Sequence, residues 1–251
     1  MAVTNKTDSI LAHRQSTETF NYLHGPKPRH YELAFAFRVL IQFMKGFRAL
    51  HFVGPCITVF GSARFGEDHP YYQKARDIGR AIARQGFTTL TGGGPGIMEA
   101  ANRGAMENGG RSIGVNISLP FEQAANPYMH KWITIRYFFV RKVLLLKYSY
   151  AFIIMPGGWG TMDEMFETLT LIQTGLIHHF PVVIVGTDYY QQLLTYMQFM
   201  VQMKTISSSD LNYLFVTDRV DEAMAHINTY IDQNYIKATK RKPLWWLLEK
   251  V

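Results

Sequence analysis

Residues 151–164 read AFIIMPGGWGTMDE. The opening run is apolar throughout, stops at a Pro-Gly-Gly turn and passes into a stretch with the composition of a helix start. A strand with one wet face alternates apolar and polar residues, so an unbroken apolar run marks a strand covered on both sides. PVVIVG at 181–186 repeats the pattern. Such strands belong to parallel sheets held between two layers of crossover helices.

Working outward, five further short runs read as strands, giving Ile57 to Phe60, Phe87 to Thr91, Ser112 to Leu119, Trp132 to Ile135, Ala151 to Met155, Pro181 to Gly186 and Tyr213 to Thr217. Helix-length segments separate most of them, at 70–85, 96–108, 137–149, 161–176, 188–204 and 221–235. The expected fold is a doubly wound, Rossmann-like parallel sheet with helices on both faces, over residues 53–236. Residues 1–52 read as an N-terminal extension with one helix, in which Leu33, Phe37, Leu40, Ile41, Met44, Phe47 and Leu50 recur at helical spacing. That helix packs on the domain or on a partner subunit; its basic residues also permit a membrane-surface reading. Residues 237–251 form a tail whose Pro243–Leu248 segment is apolar enough to dock on another subunit or a membrane.

Ligands of this architecture bind outside the carboxyl ends of the strands. Three strand ends there run into glycine loops: Phe60-Gly61-Ser62-Ala63-Arg64, Thr91-Gly92-Gly93-Gly94-Pro95-Gly96 and Pro156-Gly157-Gly158-Trp159-Gly160-Thr161. Free amides and the positive end of the following helix attract an anion, most naturally a phosphate. None of the loops spells GxxxxGK[ST] or GxGxxG, which disfavours a triphosphate P-loop and a dinucleotide site. Thr161-Met162-Asp163-Glu164 has capping-box spacing, with Thr161 as the cap and Glu164 reaching back to the first amides. Glu164 is equally placed, one turn from the presumed phosphate cradle, to meet a ribose.

Composition narrows the setting. A hydrophobic content of 47% against 18% charged residues describes a globular chain, and the net charge of +7 favours an anionic partner. The densest basic cluster, Lys237, Lys240, Arg241 and Lys242, reads as a solvated tail, so no nucleic-acid partner is expected. Cys56 is the single cysteine and precedes an apolar run, so a buried structural thiol is expected and no disulfide framework exists. The first residues lack a signal-peptide pattern and no window is apolar enough to span a membrane, which makes the cytoplasm the expected location. His178-His179 lies in a connection, and no His, Cys or carboxylate spacing marks a metal site.

Arg141-Lys142 followed by Pro156-Gly157-Gly158-x-Gly160-Thr161-x-x-Glu164 resembles the signature of the LONELY GUY family, an Arg-Lys pair and PGGxGTxxE, whose members were long labelled lysine decarboxylases. TGGGPGIMEAANRGA at 91–105 is similar to the family's second glycine loop, and the resemblance runs from about Ile57 to Ile227. It implies hydrolysis of a purine nucleoside 5′-monophosphate, AMP or an N6-modified AMP such as cytokinin riboside 5′-monophosphate, to free base and ribose 5-phosphate. It also implies a homodimer or higher oligomer and assigns the catalytic pair to Glu164 and Arg141.

That chemistry is coherent for these residue types. Cleavage passes through an oxocarbenium-like state, which a carboxylate beside C1′ stabilises while it activates water, the role assigned to Glu164. Arg141 would orient the nucleotide or stabilise the leaving base. Gly157, Gly158 and Gly160 with Thr161 would hold the 5′-phosphate, with Pro156 and Lys142 beside them, while Gly61, Ser62, Gly93 and Gly94 supply the pocket wall. Met98 is a candidate base contact or a packing residue; Asn102 and Arg103 read as capping or pairing locally. No cofactor is required. The competing reading is a binding module without turnover, like molybdenum-cofactor carriers; decarboxylation needs a pyridoxal lysine, which the glycine loops lack.

Overall fold

The computed structural model describes residues 25–118, 125–178 and 180–234. The expected end of a strand at Leu119, the second residue of the His178-His179 pair, the first 24 residues and the tail at 237–251 lie outside them. The described elements are α1 (Arg29–Leu50), β1 (Cys56–Phe60), α2 (Pro70–Arg84), β2 (Thr88–Thr91), α3 (Ile97–Glu107), β3 (Ser112–Ile117), β4 (Lys131–Ile135), α4 (Phe138–Tyr148), β5 (Ser149–Ile154), α5 (Trp159–Gln173), β6 (Val182–Val185), α6 (Thr187–Gln202), a 3₁₀ turn (Ser208–Tyr213), β7 (Leu214–Thr217) and α7 (Val220–Asn234).

The seven strands form one parallel sheet in the order β4-β3-β2-β1-β5-β6-β7. β1, β2, β3 and β6 are buried along their whole length, as the unbroken apolar runs require. One core cluster, with Leu50, Leu144, Phe152, Met165 and Tyr190, lies under α1, α4, α5 and α6. The other, with Ile57, Tyr72, Ile78, Ile97, Ile153 and Ile227, lies under α2, α3 and α7. Strand order reverses between β1 and β5, so their carboxyl ends flank the crevice where such sheets bind ligands.

The N-terminal helix packs differently from the expected stripe. Phe47 and Leu50 do face the core, joined by Val39 and Phe43, and Gly46 lets the helix lie so close to α4 that a Cβ there would stand 2.3 Å from Leu144 Cδ1. Leu33, Phe37, Leu40, Ile41 and Met44 are exposed instead, because a second apolar stripe, one residue out of phase, makes the contact. Cys56 is fully buried, its thiol donating to the Gly54 carbonyl at 3.4 Å; burial pushes its pKa up to about 12. Among the described residues no helix is long and apolar enough to cross a membrane.

Candidate active site

The first and third glycine loops meet at the β1/β5 switch point. The Ser62 amide donates to the Pro156 carbonyl at 2.9 Å, the Met155 amide to the Phe60 carbonyl at 2.8 Å, and the Ile97 amide to the Ser62 carbonyl at 2.9 Å. Side chains are excluded from these contacts. A Cβ on Gly61 would stand 2.4 Å from Ile97 Cγ2, and one on Gly157 would stand 2.2 Å from Thr161 Oγ1. Gly158 and Gly160 differ: a Cβ at either meets nothing within 4 Å. There the backbone borders open space.

α5 begins at Trp159 with Gly158 as its N-cap and no side-chain cap. This corrects the capping-box reading. Thr161 is already inside the helix, where its amide bonds the Gly158 carbonyl at 3.0 Å, and its buried side chain lies against Gly157. Asp163 and Glu164 fall in the second turn, too far along to cap the first amides or to complement the helix terminus. The amides of Gly158, Trp159 and Gly160 therefore have neither a side-chain cap nor a backbone acceptor among the described residues.

Freed from capping, Glu164 is only 5% exposed; its backbone carbonyl accepts from the Thr168 hydroxyl at 2.7 Å, while its carboxylate accepts no hydrogen bond from the described residues. Burial pushes its pKa up to about 7, opposed by the Arg141 and Lys142 charges and assisted by Glu167 and Asp163. Arg141, on α4, is held by Nε donating to the Val115 carbonyl at 2.8 Å. Burial lowers its pKa while Glu164 raises it, and a guanidinium so placed stays cationic. Its outer nitrogen and the Met98 sulfur both crowd Gly92, where a Cβ would stand 2.2 Å from Arg141 Nη2 and 2.8 Å from the sulfur. Gly92, Met98, Arg141 and Glu164 thus form a linked set. Lys142 turns to the flank of α5, with Nζ 3.0 Å from Asp163 Oδ1 and 2.8 Å from Glu167 Oε2.

Gly93 and Gly94 are buried in the second loop. Gly93 adopts φ +74, and a Cβ there would lie 3.4 Å from both Gly114 Cα and Met129 Sδ. Four polar side chains pin this loop: Thr91 donates to Asn102 Oδ1 at 2.6 Å, Asn102 to Ser112 Oγ at 2.7 Å, and Asn126 Nδ2 to the Gly94 carbonyl and Asn102 Oδ1, both at 3.0 Å. The reading of Asn102 as a local cap or pair is replaced by this network, in which its partners come from other elements. Arg103 does pair near home, with Glu107 at 2.9 Å, and also reaches Glu67 at 2.8 Å.

Sequence reasoning missed Asn126, Gly92's contact with Arg141, and Tyr189 and Tyr190. Only the strand-end rule pointed toward the tyrosines, which follow β6 at the sheet edge bearing the other loops. Among the described residues no group of three His, Cys, Asp or Glu could hold a metal ion.

Fold and crevice together define a Rossmann-like α/β protein whose glycine loops converge on a buried carboxylate and guanidinium. A family model described as "possible lysine decarboxylase" matches residues 98–227. A cytokinin riboside 5′-monophosphate phosphoribohydrolase from Rhodococcoides fascians is 32% identical over 177 residues, 69% of this chain and 89% of that protein. One from Arabidopsis thaliana is 28% identical over 207 residues, 78% and 90% of the two chains. The chain belongs to the LONELY GUY family. The molybdenum cofactor carrier protein of Chlamydomonas reinhardtii shares the fold, with a TM-score of 0.53 at 24% identity over 71% of this chain and 99% of that one.

Proposed function

We propose that this chain is a nucleotide phosphoribohydrolase that cuts the N-glycosidic bond of a purine nucleoside 5′-monophosphate, giving free base and ribose 5-phosphate. The observation that carries the reading is Glu164: a buried carboxyl with no hydrogen-bond partner among the described residues, one turn inside an uncapped helix and facing the charge of Arg141. The names of the relatives support the reaction class.

In this reading the 5′-phosphate sits on the amides of Gly158, Trp159 and Gly160, where the helix terminus offers unpaired donors. Binding energy from the phosphate positions the ribose, so that C1′ meets Glu164. The ionised carboxylate stabilises the oxocarbenium-like ribose and takes a proton from the attacking water; a pKa near 7 suits it to do so at neutral pH. Arg141 offers a buried cation to the departing base, and Met98 lies beside it as an apolar contact. Lys142 holds α4 against α5 through Asp163 and Glu167 and so fixes the spacing of the pair. Gly61 and Ser62 close the wall on the β1 side. The active unit is a homodimer or higher oligomer, supported by the exposed Leu33, Phe37, Leu40 and Met44 on α1, and sedimentation at micromolar concentration tests it.

Incubation of purified protein with AMP, GMP, CMP and an N6-prenylated AMP, with base release followed by chromatography, is the deciding experiment. Release from a purine nucleotide, reduced at least about 100-fold in Glu164→Ala, is expected. Nucleotide binding with no release would replace this reading with that of a carrier, a second reading favoured by the shared fold of the cofactor carrier.

A further inference from the structure

Three consecutive carbonyls of the third loop are tied in alternating directions. Tyr190 Oη donates to the Met155 carbonyl at 2.8 Å, the Ser62 amide takes the Pro156 carbonyl at 2.9 Å, and Tyr189 Oη donates to the Gly157 carbonyl at 2.8 Å. Both phenols come from the first turn of α6, which Gly186 presses against the loop: at φ +117, a Cβ there would stand 2.8 Å from Pro156 Cγ. Their rings pack edge to face at 5.0 Å, Tyr190 buried and Tyr189 half exposed.

In a trans peptide the C=O and N–H bonds point in opposite directions. A donor that fixes the Gly157 carbonyl toward α6 therefore aims the Gly158 N–H away from α6. That amide donates to no described residue, and the space at Gly158 is open. Tyr190 differs in one respect. The carbonyl it holds belongs to the Met155–Pro156 peptide, whose nitrogen has no hydrogen to aim.

We propose that Tyr189 is a positioning residue that orients the Gly158 amide for a phosphate, while its neighbour Tyr190 anchors the same loop without directing any donor. This rests on the phosphate placement of the proposed function. Without the Tyr189 hydroxyl the Gly157–Gly158 peptide is free to rotate, because both of its residues are glycine and accept positive and negative φ alike. The amide is then presented to the anion only part of the time.

The experiment compares wild type, Tyr189→Phe and Tyr190→Phe. Turnover of AMP is measured, and ribose 5-phosphate binding is followed by calorimetry. Tyr189→Phe is expected to raise KM for AMP and the Kd for ribose 5-phosphate together by about tenfold, with kcat within about twofold of wild type. Tyr190→Phe is expected to lower the thermal midpoint and leave KM and Kd unchanged. An unchanged KM and Kd in folded Tyr189→Phe, or equal losses in both variants, would overturn the assignment by reducing both tyrosines to packing. A wild-type protein that binds ribose 5-phosphate but releases no base refutes the hydrolase reading and leaves the calorimetric comparison to decide this one. Wild-type protein that neither binds ribose 5-phosphate nor releases base from AMP refutes both.

Discussion

Replacing Glu164 by Gln should make the protein more stable while removing its activity, and the gain should depend on pH in a defined way. Burial carries the carboxyl from an ordinary 4.5 to about 7. At about 1.4 kcal/mol for each pH unit, an ionised Glu164 costs the folded state about 3 kcal/mol relative to a protonated one. Because the folded carboxyl keeps its proton to higher pH than the unfolded chain does, the contribution is wholly favourable below pH 4.5 and is lost as pH rises through 7. Gln has the shape of the protonated acid and no charge to lose. Glu164→Gln and wild type should therefore melt together near about pH 4.5, whereas at about pH 8.5 the variant should melt roughly 6–12 °C higher, the shift such an energy produces in a domain of this size. Differential scanning calorimetry over that range is the assay. Midpoints that coincide at high pH, or an offset that does not grow with pH, would refute the account of a charge held in a poorly solvated site.

On the proposed mechanism, in which the carboxylate is the working form, the same titration should govern turnover: kcat/KM for AMP should rise with pH through about 7. Removing the cation in Lys142→Met should move that limb to higher pH, since Lys142 favours the ionised form of Glu164 and the orphaned Asp163 and Glu167 oppose it; a limb that stays put or falls contradicts this electrostatic picture. Two alanine scans of glycine should separate. Gly158→Ala, with nothing within 4 Å, should keep the wild-type melting temperature and raise KM at least about tenfold by placing a methyl in the crevice. Gly61→Ala, whose Cβ would overlap Ile97 at 2.4 Å, should lose about 1–3 kcal/mol of stability in denaturant melts.

The fold was legible because hydrophobic runs such as AFIIMP and PVVIVG leave one physical solution, a parallel sheet covered on both faces, and every expected strand lies within two residues of an observed one. The glycine loops were legible for the same local reason. Less legible was the start of α5. Thr161 and Glu164 have the spacing of a cap, but a Gly-Gly turn allows the helix to begin at Trp159, and those two residues shift one turn inward. Asn126, Tyr189 and Tyr190 carry no local signal of their role, since the groups to which their side chains donate lie 24 to 35 residues away. On α1 two apolar stripes run along one helix, and spacing alone does not say that Val39, Phe43, Phe47 and Leu50 are the ones that face this domain while Leu33, Phe37, Leu40, Ile41 and Met44 are exposed.

The reversal of strand order also governs when the crevice can exist during folding. β1 and β5 are neighbours in space yet Cys56 pairs with Ser149 across the chain, a closure that cannot be rewarded until the intervening units are in place. In the proposed site Gly61 and Gly92 belong to the early-synthesised half and the acid at Glu164 to the later one, so on that reading neither half alone would hold a nucleotide. In refolding, the return of ligand affinity should thus lag behind the return of helical signal, which makes ligand uptake a reporter of the final docking event.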